Sequence, residues 1–172
     1  MKRVFAVAVM GRDRPGIVAA VSGALLQLGG NVEDAMTSLL SGHFALMLVC
    51  SAPESVGPGE VRAALASLPD DLQVAVWDLD RRLERSRPTH VLTVYGPDQP
   101  GIVHRVASVL AEADVNICDM TCRLSNGALY ALTLEVEVPP DRSVEELEVR
   151  LREAIASMGL ELTFGPIEAE VL

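Results

Sequence analysis

The sequence predicts an α+β protein built from two tandem βαββαβ units, and three observations carry that prediction. The first is an internal repeat: Gly11-Arg12-Asp13-Arg14-Pro15-Gly16-Ile17-Val18 returns as Gly96-Pro97-Asp98-Gln99-Pro100-Gly101-Ile102-Val103, with six of eight positions identical at an offset of 85 residues. The same offset aligns Asn31 with Asn116, Asp34 with Asp119, Leu39 with Leu124 and Gly42 with Gly127, and no gap is needed. The second is that apolar residues change period in the same order within each copy, from short β-rich runs to helical stripes. The third is composition: 49% hydrophobic against 22% charged residues is the balance of a folding chain rather than a disordered one. The two copies fill nearly all of the 172 residues. They divide into residues 1–84 and 88–172, with the polar stretch from Arg81 to Pro88 read as a linker and no third segment large enough for a catalytic domain.

Each copy opens with a short apolar run ending at glycine, Val4 to Met10 and Val91 to Tyr95, which reads as a strand. Pro15 and Pro100 follow, with Asp13 and Asp98 upstream. That is a helix-start pattern, because proline is tolerated in the first turn and aspartate can cap it. Ile17, Val18, Val21, Ala24, Leu25 and Leu28 then recur at helical spacing, matched by Ile102, Val103, Val106, Val109, Leu110 and Ala113. Gly29-Gly30 ends the first of these helices. Asn31 to Leu40 and Phe44 to Ser51 form two strands about Ser41-Gly42; their counterparts are Val115 to Leu124 and Leu129 to Val138 about Asn126-Gly127, a hairpin dipeptide. A second helix carries Val61, Leu65 and Leu68 in one copy and Val144, Leu147, Leu151, Ile155 and Met158 in the other. Leu72 to Leu79 and Leu160 to Phe164 close the units. The order is the ferredoxin-like split βαβ, a four-stranded antiparallel sheet with two helices on one face. Val4 to Met10 and Ala45 to Cys50 lack a polar face, so the second face of that sheet is expected to be covered, by the other copy or by another chain. The stretch from Thr133 to Val138 does alternate, so covering of the second sheet is expected to be partial.

The repeated Gly-x-Asp-x-Pro-Gly joins the first strand to the first helix. Glycine lets the backbone turn sharply, and the helix N-terminus behind it presents unpaired N–H groups and the positive end of the helix dipole. That combination suits a carboxylate or another small anion. Asn31 and Asn116 offer donors and acceptors to an α-amino acid, and Asp34 and Asp119 suit an ammonium. The same residues equally suit a plain structural turn, with aspartate capping it. The motifs G-R-D-R-P-G-I-V and G-P-D-Q-P-G-I-V, followed by N-V-E-D and N-I-C-D, resemble the opening of ACT domains, small-molecule-binding regulatory modules that often bind amino acids at interfaces between paired domains. The resemblance implies ligand contacts at Gly11, Asp13, Pro15, Gly16 and Asn31, and at Gly96, Asp98, Pro100, Gly101 and Asn116. The copies differ: Arg14 is replaced by Gln99, and Gly29-Gly30 by Asp114-Val115. A chain of two ACT domains is similar to the glycine cleavage system transcriptional repressor group, which implies an accessory regulator acting through a DNA-binding partner. A detached regulatory subunit of an amino-acid or one-carbon enzyme is the alternative. ACT domains with this opening also precede formyltetrahydrofolate deformylases, but nothing in the chain resembles their catalytic region.

Charge narrows the partners. Fourteen Lys and Arg against 24 Asp and Glu give a net charge of −10, which disfavours direct binding to nucleic acid or an anionic membrane. Residues 1–86 hold 8 basic and 10 acidic groups, net −2; residues 87–172 hold 6 and 14, net −8. The acidic run from Glu145 to Glu153 reads first as a solvated helix face and otherwise as a docking surface for a basic partner. No apolar run reaches the roughly 20 residues of a membrane span. Arg12, Asp13 and Arg14 precede any cleavage site that would make the first strand a signal peptide. Three cysteines provide no disulfide framework and point to the cytoplasm. Cys118 and Cys122, roughly 13 Å apart on an extended strand, read as small buried hydrophobes rather than a disulfide or zinc pair. His43, His90 and His104 lie in no catalytic motif, and Trp77 reads as packing or as a contact between copies. The expectation is a cytoplasmic, non-enzymatic regulator, homodimeric, with no cofactor or metal.

Overall fold

Along Lys2–Arg12 (β1) every second side chain, Phe5, Val7 and Val9, is fully buried, whereas Val4, Ala6 and Ala8 are half-buried. One face of the strand therefore packs and the other stays partly open. The chain is described here by a computed structural model covering residues 2–69, 71–79, 87–125 and 128–167. After β1 come α1 (Ile17–Gln27), β2 (Asn31–Leu40), β3 (His43–Pro53), α2 (Pro58–Leu65) and β4 (Leu72–Leu79). The second half repeats the order as β5 (His90–Pro97), α3 (Ile102–Glu112), β6 (Asn116–Ser125), β7 (Leu129–Glu137), α4 (Val144–Ile155), a 3₁₀ turn at Ala156–Met158, and β8 (Glu161–Pro166). Each half makes its own antiparallel sheet, in the order β2-β3-β1-β4 and β6-β7-β5-β8. The expected α+β fold is the observed one. Contacts divide the chain into two compact units, residues 1–83 and 84–172. Of the expected linker, residues 81–86 lie outside the described residues, as do Asn126 and Gly127 of the second hairpin.

Each sheet has a separate core beneath its helices. In the first unit Phe5, Val7, Val9, Leu46, Leu48 and Cys50 meet Val21, Leu25, Val61 and Leu65. In the second, Leu92, Val94, Leu132, Leu134 and Val136 meet Val106, Leu110, Leu147, Leu151 and Ile155. Burying each such side chain contributes about 1.5–3 kcal/mol, which makes these two clusters the main source of stability. The alternate face of each sheet carries no helix.

The helix starts differ from expectation. Gly16 and Gly101 are themselves the N-caps, at φ 94° and 99°, and neither helix has a side-chain cap. Asp13 and Asp98 lie too far upstream to cap, and both prolines precede the first helical turn. The chain instead turns through a left-handed residue, which glycine adopts without the steric cost of a β-carbon. Side-chain help appears at the second helices: the Glu60 carboxylate accepts from the Gly57 N–H at 2.9 Å, and the Ser143 hydroxyl oxygen accepts from the Glu146 N–H at 3.2 Å. Near the start of β2 and of β6 the register slips, between Val32 and Asp34 and between Ile117 and Asp119. Glu33 and Cys118 are the extra residues of two equivalent β-bulges.

Candidate functional site

The repeated loop is built the same way in both units. Gly11, next to last in β1, lies against the start of β4, where a β-carbon would lie 2.6 Å from both the Asp71 carbonyl oxygen and Leu72 Cδ2. At Gly96 it would lie 2.8 Å from Leu160 Cδ2 and 3.2 Å from the Gly159 carbonyl oxygen. The Asp13 N–H then donates to the Gly42 carbonyl at 3.0 Å and the Asp98 N–H to that of Ala128 at 3.1 Å, tying each loop to the neighbouring hairpin. Pro15 and Pro100 are exposed, as are Asp13 and Asp98. Next to Gly16 and Gly101 a β-carbon would meet nothing within 4 Å. The turn into α1 and into α3 is therefore uncrowded on that side of each glycine, at the positive end of the helix dipole.

Of the two loop positions that differ between the copies, the second, Arg14 or Gln99, makes a side-chain contact in each unit, and the contacts differ in kind. Arg14 donates to the Asp71 carboxylate at 2.6 Å, and Gln99 donates through Nε2 to the Met158 carbonyl at 2.6 Å. Both reach the turn before the last strand, so the first loop is latched ionically and the second by a neutral hydrogen bond. The Arg14 guanidinium holds the Asp71 carboxyl below its ordinary value. The other terminal nitrogen of Arg14 is shielded and has no partner among the described residues. Beside the second loop, burial pushes the Tyr130 hydroxyl up to about 12, with Cys122 adding to the shift.

The asparagines are not beside these loops. Asn31 registers with Ser51 and Ser51 with Val4, whereas Gly11 registers with Phe44 at the other end of the same strands. The step from Val4 to Gly11 along β1 is roughly 24 Å at ~3.4 Å per residue. Asn116 likewise registers with Glu137, while Gly96 registers with Tyr130. Within one unit, then, Gly11, Asp13, Pro15 and Gly16 come together and Asn31 does not; the same holds for Gly96, Asp98, Pro100, Gly101 and Asn116. Asn31 instead lines an open groove of about 360 Å³ with Ala19, Gly23, Leu26, Gly30 and Val32. Asp34 and Asp119 follow the bulges at that far end.

Other side chains also depart from expectation. Cys50 is the buried cysteine; Cys118 is half-buried and Cys122 exposed, because β6 is an edge strand, and all three are free thiols. Asn116 Nδ2 donates to Cys118 Sγ at 3.9 Å. Ser51 was not singled out by the sequence reading, yet it is 2% exposed and its hydroxyl has no partner among the described residues. Its signal was a lone polar residue closing the apolar run from Phe44 to Cys50. His90 opens β5 with its ring against Phe164, and His104 is exposed. Among the described residues no group of three or more His, Cys, Asp or Glu is placed to hold a metal, and no helix is long and apolar enough to cross a membrane. On α4, Arg152 pairs with Glu148 and Arg150 with Glu112, so part of the acidic run is neutralised locally.

Comparison with known proteins gives both units the same assignment. The ACT domain profile matches residues 3–77 and again residues 89–165. A UPF0237 protein from Listeria monocytogenes is 38% identical over 69 residues, which covers 40% of this chain and 78% of that protein. One from Methanopyrus kandleri is 37% identical over 71 residues, covering 41% and 79%. Among solved structures, an unknown protein from Galdieria sulphuraria superposes with a TM-score of 0.83 at 26% identity, covering 97% of this chain and 99% of that one. A provisionally assigned glycine cleavage system transcriptional repressor superposes with a TM-score of 0.67 at 14% identity, covering 97% and 98%.

Proposed function

The chain belongs to the ACT domain family in both of its halves, and from that premise we propose that it is a non-catalytic cytoplasmic regulator whose loops bind a small ligand, an amino acid. It acts as a homodimer and through a protein partner: a DNA-binding regulator, as in the glycine cleavage system repressor group that it resembles, or a metabolic enzyme. The observation that carries this reading is the twice-built loop, with a left-handed glycine, open space beside it and an uncapped helix N-terminus at Gly16 and Gly101. A carboxylate fits there because backbone N–H groups and the helix dipole favour an anion. Asn31 and Asn116 are each a sheet's length from the loop of their own unit. They take part in the reading only where an ACT unit pairs with another and presents its β2 or β6 start to that unit's loop, the interface binding that the family resemblance implies. The net charge of −10 supports an indirect transcriptional role over direct DNA contact.

A thermal-shift screen of the twenty amino acids tests the reading. A ligand that binds only the folded chain raises the melting temperature in a concentration-dependent way. The expected result is a rise with at least one amino acid that is reduced in the Gly16→Ala, Gly101→Ala, Asn31→Ala or Asn116→Ala variants. If no amino acid shifts the transition, the sensing reading is wrong. Pull-down with the wild-type chain separates a DNA-binding partner from a metabolic enzyme.

A further inference from the structure

The two sheets differ most on the faces that carry no helix. Across the first sheet one transverse row reads Met36, Met47, Ala8, Ala75 from β2 to β4. The equivalent row of the second sheet reads Thr121, Thr133, Thr93, Thr163 from β6 to β8. Around the first row stand Met10, Leu40, Val49 and Trp77; Met36 is 64% exposed, Met47 61% and Trp77 51%. Around the second stand Glu135, Glu137 and Tyr95, whose hydroxyl donates to the Glu161 carboxylate. Threonine rows and carboxylates suit water. A contiguous sheet of exposed methionine, leucine and tryptophan does not, and such patches mark interaction surfaces.

We propose that the helix-free face of the first sheet is the docking surface for a second copy of this chain, packed sheet against sheet. The proposal rests on the self-association stated above and names its surface. Three observations select this occupant. The first is area: four strands ~4.8 Å apart and about eight residues long present roughly 500 Å² per copy, or about 1,000 Å² in total, the lower limit for a specific interface. The second is shape: Ala6, Ala8 and Ala75 form a low floor beside the long side chains of Met36, Met47 and Trp77. Long residues of one copy can seat on the floor of the other, the self-complementarity that a twofold contact requires, and methionine adapts to such gaps. The third is charge: the row of Met36, Met47, Ala8 and Ala75 is uncharged, Asp34, in register with Val49, stands on the edge strand β2, and Lys2 and Arg12 stand at opposite ends of β1. The second sheet would instead oppose Glu135, Glu137 and Glu161 to their own copies, while the negative excess of the chain lies in residues 87–172. Self-pairing is therefore open to the first sheet and disfavoured for the second.

Sedimentation equilibrium of the full chain across a concentration series tests this. The double substitution Met36→Thr with Met47→Thr transplants half of the threonine row and keeps β-forming residues, so the fold is retained. Met47→Glu puts a charge at the centre, and Thr133→Glu is the matched control on the second sheet; circular dichroism checks each fold. The expected result is that the wild-type chain self-associates, that the double variant raises the dissociation constant at least roughly tenfold, that Met47→Glu halves the associated mass, and that Thr133→Glu changes neither. A wild-type chain that stays monomeric overturns both the self-association and the surface. An assembly that survives Met47→Glu and the double variant, or that Thr133→Glu disrupts equally, overturns the surface alone.

Discussion

Replacing Gly16 by alanine is expected to destabilise the first unit by about 0.5–1.5 kcal/mol without any steric clash. Gly16 sits at φ 94°, ψ −7°, and a β-carbon built on it meets nothing within 4 Å. The cost is therefore conformational: a left-handed residue with a β-carbon loses about 1–2 kcal/mol. Alanine has less freedom than glycine in the unfolded chain, which offsets about 0.4–1 kcal/mol of that loss. The assay is urea unfolding followed by fluorescence. The single tryptophan, Trp77, lies in β4 of the first unit and also on the proposed docking face, so the signal is read at a protein concentration where the chain is monomeric. With a urea slope of ~1 kcal/mol/M for so small a unit, the midpoint should fall by roughly 0.5–1.5 M. Gly16→Asn should fall less, because asparagine tolerates the left-handed region. Gly101→Ala, at φ 99°, should leave the Trp77 transition in place and lower the one that circular dichroism reads from the second unit. An unchanged or raised midpoint for Gly16→Ala, or a larger loss for asparagine than for alanine, would refute the conformational argument.

Gly11→Ala should fail for the opposite reason: its new β-carbon would sit 2.6 Å from the Asp71 carbonyl oxygen, and forcing the strands apart costs about 1–3 kcal/mol in the same urea assay. Leu134→Ala, which opens a cavity under the second sheet, should lower the stability of that unit by about 2–5 kcal/mol in calorimetry. Asp71 is held low by Arg14, so its contribution to stability is present above the unfolded carboxylate value and lost as pH falls through the folded one. NMR titration should give Asp71 a midpoint below ~3.9 that rises toward it in Arg14→Gln. Tyr130 is shifted the other way, up to about 12. The stability it contributes is present below the unfolded tyrosine value and lost as pH rises through the folded one, and near-ultraviolet absorbance titration should show the shift reduced in Cys122→Ala.

The sheets were legible because alternation and the 85-residue repeat are properties of the chain itself. Asn31–Leu40 and Leu72–Leu79 are strands over the expected residues. What misled was the local grammar of helix starts, where Asp13 and Pro15 resemble a cap and a first-turn proline. The backbone instead needs a left-handed residue to turn from β1 into α1, and that requirement falls on Gly16. The distance of Asn31 from the loop of its own unit is readable from the sequence itself. An 11-residue helix runs ~16 Å, so a strand that follows it with a short turn must begin at the opposite end of the sheet from the loop. The exposure of Cys122 and the uniform exposure of β2 follow from edge position, which depends on the sheet order and leaves no mark on a single strand.

Comparing the two units separates what the backbone dictates from what the side chains add. The glycine dihedrals agree within a few degrees, 94° and 99°, and the loop-to-hairpin bonds agree at 3.0 and 3.1 Å. The latch and the helix-free face do not agree: an ion pair at Arg14 corresponds to a neutral bond at Gln99, and a methionine–alanine row corresponds to a threonine row. A ligand held mainly by first-turn N–H groups would meet the same donors in both loops, so the two units are expected to accept the same chemical class. The latches then set how firmly each loop is held. Salt screens a solvent-exposed ion pair and barely touches an amide–carbonyl bond. Raising the ionic strength should therefore speed hydrogen exchange at residues 11–16 more than at residues 96–101, and Arg14→Gln should remove that difference. Equal salt responses in the two wild-type loops would show that the latch does not hold the loop.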